Sequence, residues 1–307
     1  MMSAMSPMGP LPPVELAGYI LGQEGSQEAL RLYETQGAEI LDGMLRCLGP
    51  DWSWEGRRVL DFGCGAGRVL RRLAPFAAEL HGCDIDAACV AWLQEALCPP
   101  LRVLRSDPDP PLPYPDGHFD LIYAIAVFPH LDRNWAPWLL ELRRLLAPDG
   151  RLLVSLMAAG SSEALTGEPW DPERVGMTVL GPGRPWHAGG PMILHSPWWV
   201  RAHYGRAFRV LAHAPAAICG QDAYLLAARE STPEPAELAA PEPDEPRELT
   251  ATLYALELLQ RDYAKLNAAH DAYAAAYRAE SELRSAAEAR LAAPPPGLAR
   301  RLRRRRV

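Results

Sequence analysis

Asp61, Gly63, Gly65 and Gly67 stand at alternate positions in the stretch VLDFGCGAGRVL, directly after four residues that read as a strand. Glycines at that spacing remove side chains where backbone must turn sharply or approach a ligand closely. A second acid, Asp84 in HGCDID, follows Asp61 by 23 residues, at the end of the next strand-like run. An ionised carboxylate there can accept two hydroxyl hydrogen bonds, which suits a ribose diol. His130, after a later strand, and His195 have the side-chain type that takes a proton from a weak nucleophile near neutral pH.

Two familiar ligands of glycine-rich turns do not fit. A dinucleotide turn needs a third glycine where this chain has Arg68, and a triphosphate loop needs a Gly-Lys-Ser/Thr ending that is missing here. What stands is D-x-G-x-G-x-G.

The elements that must hold these residues alternate. Strands are expected over 58–62, 79–83, 101–105, 119–125, 150–157, 207–213 and 221–229, and helices over 26–48, 67–78, 86–97, 132–147 and 197–205. That order implies an α/β fold with a mostly parallel sheet covered by helices on both faces, and ligands at the carboxyl ends of its strands. The connection over 167–199 is long and rich in Pro and Gly, yet it carries Trp170, Trp186, Trp198 and Trp199. A loop of that length with so many aromatics is expected to be an ordered cover over the site. Trp170, Trp186, His187 and His195 are its candidate substrate contacts, because Trp faces stack on sugar rings and other flat acceptors.

These residues resemble motif I and its sequels in class I S-adenosylmethionine-dependent methyltransferases. The resemblance rests on VLDFGCGAGRVL, on HGCDID, on RSDPDPPLPYPDGHFDLIYAIAVFPHLD (105–132) and on WLLELRRLLAPDGRLLVSL (138–156), and it extends over about 26–229. It implies a Rossmann-like, seven-stranded, mostly parallel sheet and S-adenosylmethionine as cofactor. It further implies that Gly63, Gly65 and Gly67 shape the methionine end, Asp61 holds the ammonium, and Asp84 with Ile85 holds the nucleoside. Asp107, with Asp109 as an alternative because of a one-residue offset, would meet the adenine amino group. The subgroup it most resembles is bacterial methyltransferases linked to glycosyltransferases and surface polysaccharides. The expected activity is methyl transfer to a small-molecule or glycan acceptor, O-methylation of a sugar or polysaccharide precursor in particular, with His130 or His195 as base and no metal. One departure is AVFPH at 126–130, where relatives often carry Ser-Val-Phe-Thr-His; Asp149 stands where many have Gly.

Around this body the composition changes. Residues 1–25 read as a flexible lead without a secretory signal. Residues 230–248 are a Pro/Glu-rich linker expected to be extended. Residues 249–293 should be one long helix, with an a/d-like ladder over 249–291 that suits a coiled-coil homodimer or a partner helix. Residues 294–307 are a basic tail: the last ten residues hold six arginines. The net charge is −7, which leaves −13 without the tail, so a nucleic-acid role for the catalytic body is disfavoured. The tail itself suits an anionic surface. The expected location is cytoplasmic, peripheral to the inner face of the membrane. The six cysteines form no C-x-x-C pair, which argues against a zinc site. A competing reading is a cofactor-binding scaffold that acts through its C-terminal coiled coil.

Overall fold

The computed structural model describes residues 8–76, 79–184 and 189–292. In chain order the elements are α1 (Val14–Leu21), α2 (Gln27–Leu48), β1 (Arg58–Phe62), α3 (Leu70–Leu73), β2 (Glu79–Asp84), α4 (Ala87–Ala96), β3 (Arg102–Arg105) and β4 (Phe119–Ala124). They continue with α5 (Trp135–Leu145), β5 (Leu146–Leu156), α6 (Ala159–Thr166), β6 (Met177–Leu180), β7 (Met192–His195) and α7 (Pro197–His203). Then follow β8 (Phe208–Ile218), β9 (Gln221–Ala228), α8 (Pro235–Ala239) and α9 (Arg247–Ala292). The chain divides into two compact units, 1–256 and 257–307.

The first unit is built on a seven-stranded sheet of order β3-β2-β1-β4-β5-β9-β8. Strands β1 to β5 run parallel, and β9 and β8 are antiparallel additions at one side. This is the Rossmann-like arrangement expected from the alternation of elements. Leaving β1, the chain builds β2 and β3 on one side and then returns to place β4 on the other. The carboxyl ends of β1 and β4 therefore flank the switch point, where such sheets open a crevice.

Alternation along the strands sorts the core. Leu60, Ile122, Leu152 and Val154 face a cluster with Trp138, Leu142 and Trp199, while Val59, Leu121, Tyr123 and Leu153 face one with Ile40, Met44 and Leu93. Polar residues start several of the helices that cover these faces. Ser26 accepts from Ala29 N at 3.0 Å at the start of α2, and Asp86 accepts from Cys89 N at 2.8 Å at the start of α4.

Several expectations need correction. The helix expected over 67–78 is a single turn, α3: Pro75 lacks the N–H that would reach back to Arg71 O, and that carbonyl accepts from Met8 N at 2.9 Å instead. The lead expected over 1–25 contains α1, whose Gly18 meets the Gly25 backbone so closely that a Cβ on Gly18 would lie 2.6 Å from Gly25 N. Within the Pro/Gly-rich connection, α6 and the antiparallel pair β6–β7 form. There, alternation over only four residues per strand is too short to read as a pattern.

The linker expected to be extended over 230–248 carries α8 and packs on α7. Leu238 is fully buried, and the Arg206 guanidinium donates to the carbonyls of Glu237, Leu238 and Ala240. His203 donates from Nδ1 to Leu238 O at 2.7 Å, and its Nε2 lies 2.7 Å from Glu248 Oε1. A buried histidine and one apolar side chain thus tether a segment whose composition alone reads as solvated.

In the second unit, the described residues are the remainder of α9. Leu259, Tyr263, Leu266, Tyr273, Tyr277, Leu283 and Leu291 are all exposed there. The basic tail, 294–307, lies outside the described residues. Among the described residues no helix is long and apolar enough to cross a membrane.

Candidate functional site

The turn after β1 adopts backbone that only glycine takes without strain. Gly63, Gly65 and Gly67 have φ of 78°, 50° and 76°. Gly63 N and Cys64 N both donate to Cys83 O, at 2.8 and 3.0 Å, so the end of β2 clamps the turn. Asp84, the last residue of β2, accepts from Gly65 N at 2.7 Å through Oδ2 and from Asp86 N at 2.8 Å through Oδ1. The second acid of the sequence pattern is therefore a strut of the first turn. Burial raises the Asp84 pKa, and the backbone donors of Asp86 and Gly65 oppose the shift.

Asp61, on β1, is only 4% exposed, and its register partner on β4 is Tyr123. Desolvation pushes its pKa up to about 8; the Tyr123 hydroxyl pulls it down, and the Asp84 carboxylate pushes it further up. Such a group awaits a cation that would restore its charge.

These residues open on a cavity of about 1140 Å³. Its floor holds Asp61, Gly63, Gly65, Asp84 and Ile85. Ser106 and Pro108 border it on the β3 side. Ala126, Val127 and His130 border it after β4, and Tyr19 and Ile20 of α1 also line it. Gln36 and Ile40 of α2 line it together with Arg68, and Ile218, Cys219 and Gln221 come from the β8–β9 hairpin.

Ala126 has φ 57°, a left-handed value for a residue with a Cβ. It is held by Ser155, whose Oγ accepts from Ala126 N at 2.8 Å and donates to Gln221 Oε1 at 2.7 Å. The AVFPH stretch is thus tied by its backbone to β5 and the hairpin.

His130 lines the cavity at the end of the short 3₁₀ turn Phe128–His130. Its Nδ1 lies 2.8 Å from Pro191 O, which can only accept. Nδ1 therefore carries the proton, and in the neutral ring the lone pair is on Nε2. Burial lowers the His130 pKa below the usual histidine range, and the bond to Pro191 only partly offsets this.

The structure brings Asp61, Gly63, Gly65, Asp84, Ile85 and His130 together around the cavity and leaves other candidates out. Gly67 does not line it; a Cβ there would sit 2.7 Å from Leu93 Cδ2, so this glycine serves helix packing. Asp107 is exposed and outside the lining, whereas its neighbours Ser106 and Pro108 take part. Asp109 accepts from Asn134 Nδ2 at 3.2 Å and is also outside it. Trp170 is half-buried away from the cavity. Trp186 and His187 lie outside the described residues.

His195 corrects the expectation that it is the alternative base to His130 and a substrate contact. It sits within β7, is 1% exposed, is absent from the cavity lining and has its ring centroid 5.6 Å from that of Trp199. Desolvation holds its pKa near 3, so it is a neutral core residue. Sequence reasoning did not find Tyr19, Gln36, Gln221 or, as a lining residue, Arg68. Among the described residues no group of three or more His, Cys, Asp or Glu side chains is placed to hold a metal ion.

Comparison with known proteins agrees with this geometry. Residues 60–154 match a family model described as "Methyltransferase domain". That stretch runs from β1 through β5 and includes both acids and His130. The chain is 28% identical over 137 residues to the 2-methyl-6-phytyl-1,4-hydroquinone methyltransferase of Synechocystis sp., covering 44% of this chain and 43% of that protein. It is 30% identical over 141 residues to the tRNA U34 carboxymethyltransferase of Alcanivorax borkumensis, covering 39% and 42%. It is 35% identical over 100 residues to a probable S-adenosylmethionine-dependent methyltransferase of Mycolicibacterium smegmatis, covering 33% and 38%. The matched stretch thus spans less than half the length of these curated relatives. Their names agree on group transfer, and the two that name an acceptor, a phytylated hydroquinone and a tRNA uridine, name different ones.

Proposed function

We propose that this chain, which carries a methyltransferase domain, transfers a methyl group from S-adenosylmethionine to the hydroxyl of a small-molecule or glycan acceptor, a sugar or polysaccharide precursor. The observation that carries the reading is the pairing of a left-handed glycine turn with two acids, the buried Asp61 and the half-buried Asp84, around one cavity. A Cβ on Gly63 would lie 2.4 Å from Val127 Cγ2, so the floor has no room for a larger residue. The cofactor, when bound, supplies an electrophilic methyl group. Asp61 suits its ammonium, Asp84 its ribose hydroxyls, and Ile85 with Pro108 its adenine. The cavity exceeds the ~300–1,000 Å³ typical of small-ligand sites, which leaves room for a second molecule.

Displacement at a sulfonium needs acceptor and methyl aligned with water excluded, and Tyr19 and Ile20 of α1 line the site as apolar wall. A hydroxyl acceptor is a weak nucleophile. The neutral His130 ring, held by Pro191, presents Nε2 as a proton acceptor. His130→Gln is expected to lower kcat ~100-fold or more at saturating cofactor without changing cofactor affinity. Release of S-adenosylhomocysteine, measured across sugar nucleotides and lipid-linked sugars, tests the acceptor class. Turnover unchanged in the variant would remove His130 from the chemistry.

The outer segments complete the proposal. The exposed apolar ladder of α9 suits pairing with a second copy of the chain. The basic tail suits an anionic membrane inner face. Ending the chain at Leu256 is expected to convert a dimer into a monomer in sedimentation velocity. A full-length chain that sediments as a monomer would sink the pairing.

A further inference from the structure

Along the carboxyl edge of the sheet, cavity-lining residues run in strand order. Ser106 follows β3, Asp84 ends β2, Asp61 lies on β1, Ala126 follows β4 and Gln221 begins β9. β9 runs antiparallel to β5 with Asp222 opposite Leu156, so its start meets the end of β5. The acids that suit the cofactor stand on β1 and β2. The lining from β4 and β9 is left for a second molecule, and His130 follows on from it.

Gln221 is held there in one orientation. Ser155 pairs with Ala223, and paired residues share a face, so Gln221, two residues before Ala223, lies diagonally across from Ser155. Ser155 is fully buried, and its Oγ accepts from Ala126 N at 2.8 Å. Its own proton still needs an acceptor, and Gln221 Oε1 is that acceptor at 2.7 Å. With Oε1 facing Ser155, the amide turns its N–H donors away from β5. Among the described residues nothing accepts from Nε2. Gln221 is half-buried and lines the cavity, so those donors open on it.

The hairpin that carries Gln221 is fixed from two sides. A Cβ on Gly43 of α2 would lie 2.5 Å from Ala217 O, and one on Gly160 of α6 would lie 2.9 Å from Gly220 O. Asp222 accepts from Ala216 N at 3.0 Å through Oδ1, and its Oδ2 lies 2.8 Å from His213 Nε2. Ala216 and Cys219 hold left-handed backbone, with φ of 50° and 48°, which this packing must maintain. The Ser155 hydroxyl that orients Gln221 also fixes Ala126, in the stretch that leads to His130. Base and donor therefore share one support, and a donor so supported keeps its direction before any ligand arrives.

We propose that Gln221, oriented by Ser155, binds the methyl acceptor: its Nε2 donates to an oxygen beside the hydroxyl that is methylated, so the site selects a polyol over an isolated alcohol. This rests on the reading of the cavity as a methyltransferase site with a hydroxyl acceptor. His130 Nε2 takes a proton, so it needs a donor on the acceptor. Gln221 gives an N–H, so it needs a lone pair. A ring with adjacent hydroxyls offers both. An isolated alcohol engages His130 alone and leaves the amide donors unmatched once water is displaced, which costs affinity. Gln221 takes no part in making or breaking bonds.

The test uses the full chain with the sugar nucleotide or lipid-linked sugar that releases S-adenosylhomocysteine fastest, and with the singly deoxygenated forms of that sugar. Gln221→Glu keeps an oxygen for Ser155 and loses both N–H donors. It is expected to keep the wild-type melting temperature and affinity for S-adenosylmethionine while acceptor KM rises ~10-fold and kcat changes little. Gln221→Leu, which adds no charge, should raise KM alike. In wild type one deoxygenated form should bind ~10-fold more weakly than the parent sugar, and in Gln221→Leu the two should bind alike. Unchanged KM in Gln221→Glu, or the wild-type preference retained in Gln221→Leu, would overturn the proposal. So would weakened S-adenosylmethionine binding in both variants, which would give the donors to the cofactor. If Gln221→Leu does not fold, Gln221→Glu decides alone, and a KM that rises only together with a lost melting temperature would make Gln221 a strut. A wild-type chain that binds S-adenosylmethionine yet methylates none of these sugars would instead overturn the hydroxyl-acceptor reading beneath the proposal, and the proposal with it.

Discussion

Asp84→Ala is expected to abolish measurable binding of S-adenosylmethionine, a loss of ~100-fold or more, and to lower the melting temperature of the unliganded chain. Both effects have one origin. Each carboxylate oxygen already accepts one backbone donor, Gly65 N or Asp86 N, and an ionised oxygen has capacity for a second. That capacity is what a ribose diol would use. Two charge-assisted hydrogen bonds of ~1.5–3 kcal/mol each account for the affinity loss. The stability loss comes from the turn itself, since an orphaned backbone N–H costs about 1–3 kcal/mol. Asp84→Asn separates the two effects. An amide keeps one acceptor oxygen and so restores one of the two backbone bonds, and part of the stability should return with little of the affinity. Calorimetry and thermal melts on the same samples check both. If Asp84→Ala binds the cofactor within a few-fold of wild type, the acid is only a strut.

Cofactor affinity is expected to rise about tenfold per pH unit up to about pH 8 and then level off, with Asp61→Asn flattening the profile. The sign follows from Asp61. Its pKa in the folded, unliganded chain is about 8, so at neutral pH the carboxyl is mostly protonated. A cationic ligand requires it ionised, so binding must expel about one proton at pH 7. Calorimetry in buffers of different ionisation enthalpy counts that proton. The unliganded chain shows the complementary trend. An unfolded aspartate titrates near ~3.9, so between there and about 8 the folded state holds the extra proton. The Asp61 contribution is fully present at low pH and is lost as pH rises through about 8. Asp61→Asn removes that slope and is expected to stabilise the unliganded chain at pH 8 while weakening cofactor binding. Cofactor binding with no proton released would show that Asp61 is already ionised or does not meet the cation.

Much of the site was legible because its determinants are local. Alternate glycines after a strand demand left-handed backbone whatever surrounds them, and Gly63, Gly65 and Gly67 all adopt it. The acid at the end of the next strand is brought to the turn by parallel pairing, which sets Phe62 beside Cys83 and so Asp84 beside Gly65. What could not be read depended on which face a residue presents. His130 follows β4, and His195 ends β7 of the separate two-stranded sheet. Only the packing of β7 against the Trp199 ring turns His195 into the core. Asp107 and Ser106 are neighbours just after β3, yet Ser106 is buried at the cavity and Asp107 is exposed outside its lining.

The sequence by itself determined the alternation of strands and helices, the position of the glycine turn and the identity of its two acids. These follow from backbone sterics and from periodicities that need no partner. Tertiary structure alone decided that α1 lines the cavity, that the Pro/Glu-rich segment folds back onto α7, and that Arg68 meets Gln36 across 32 residues of chain. Each is a contact between distant segments. Its energy comes from burial and from pairing a group that would otherwise be left unmatched, and composition does not encode where that match will be found.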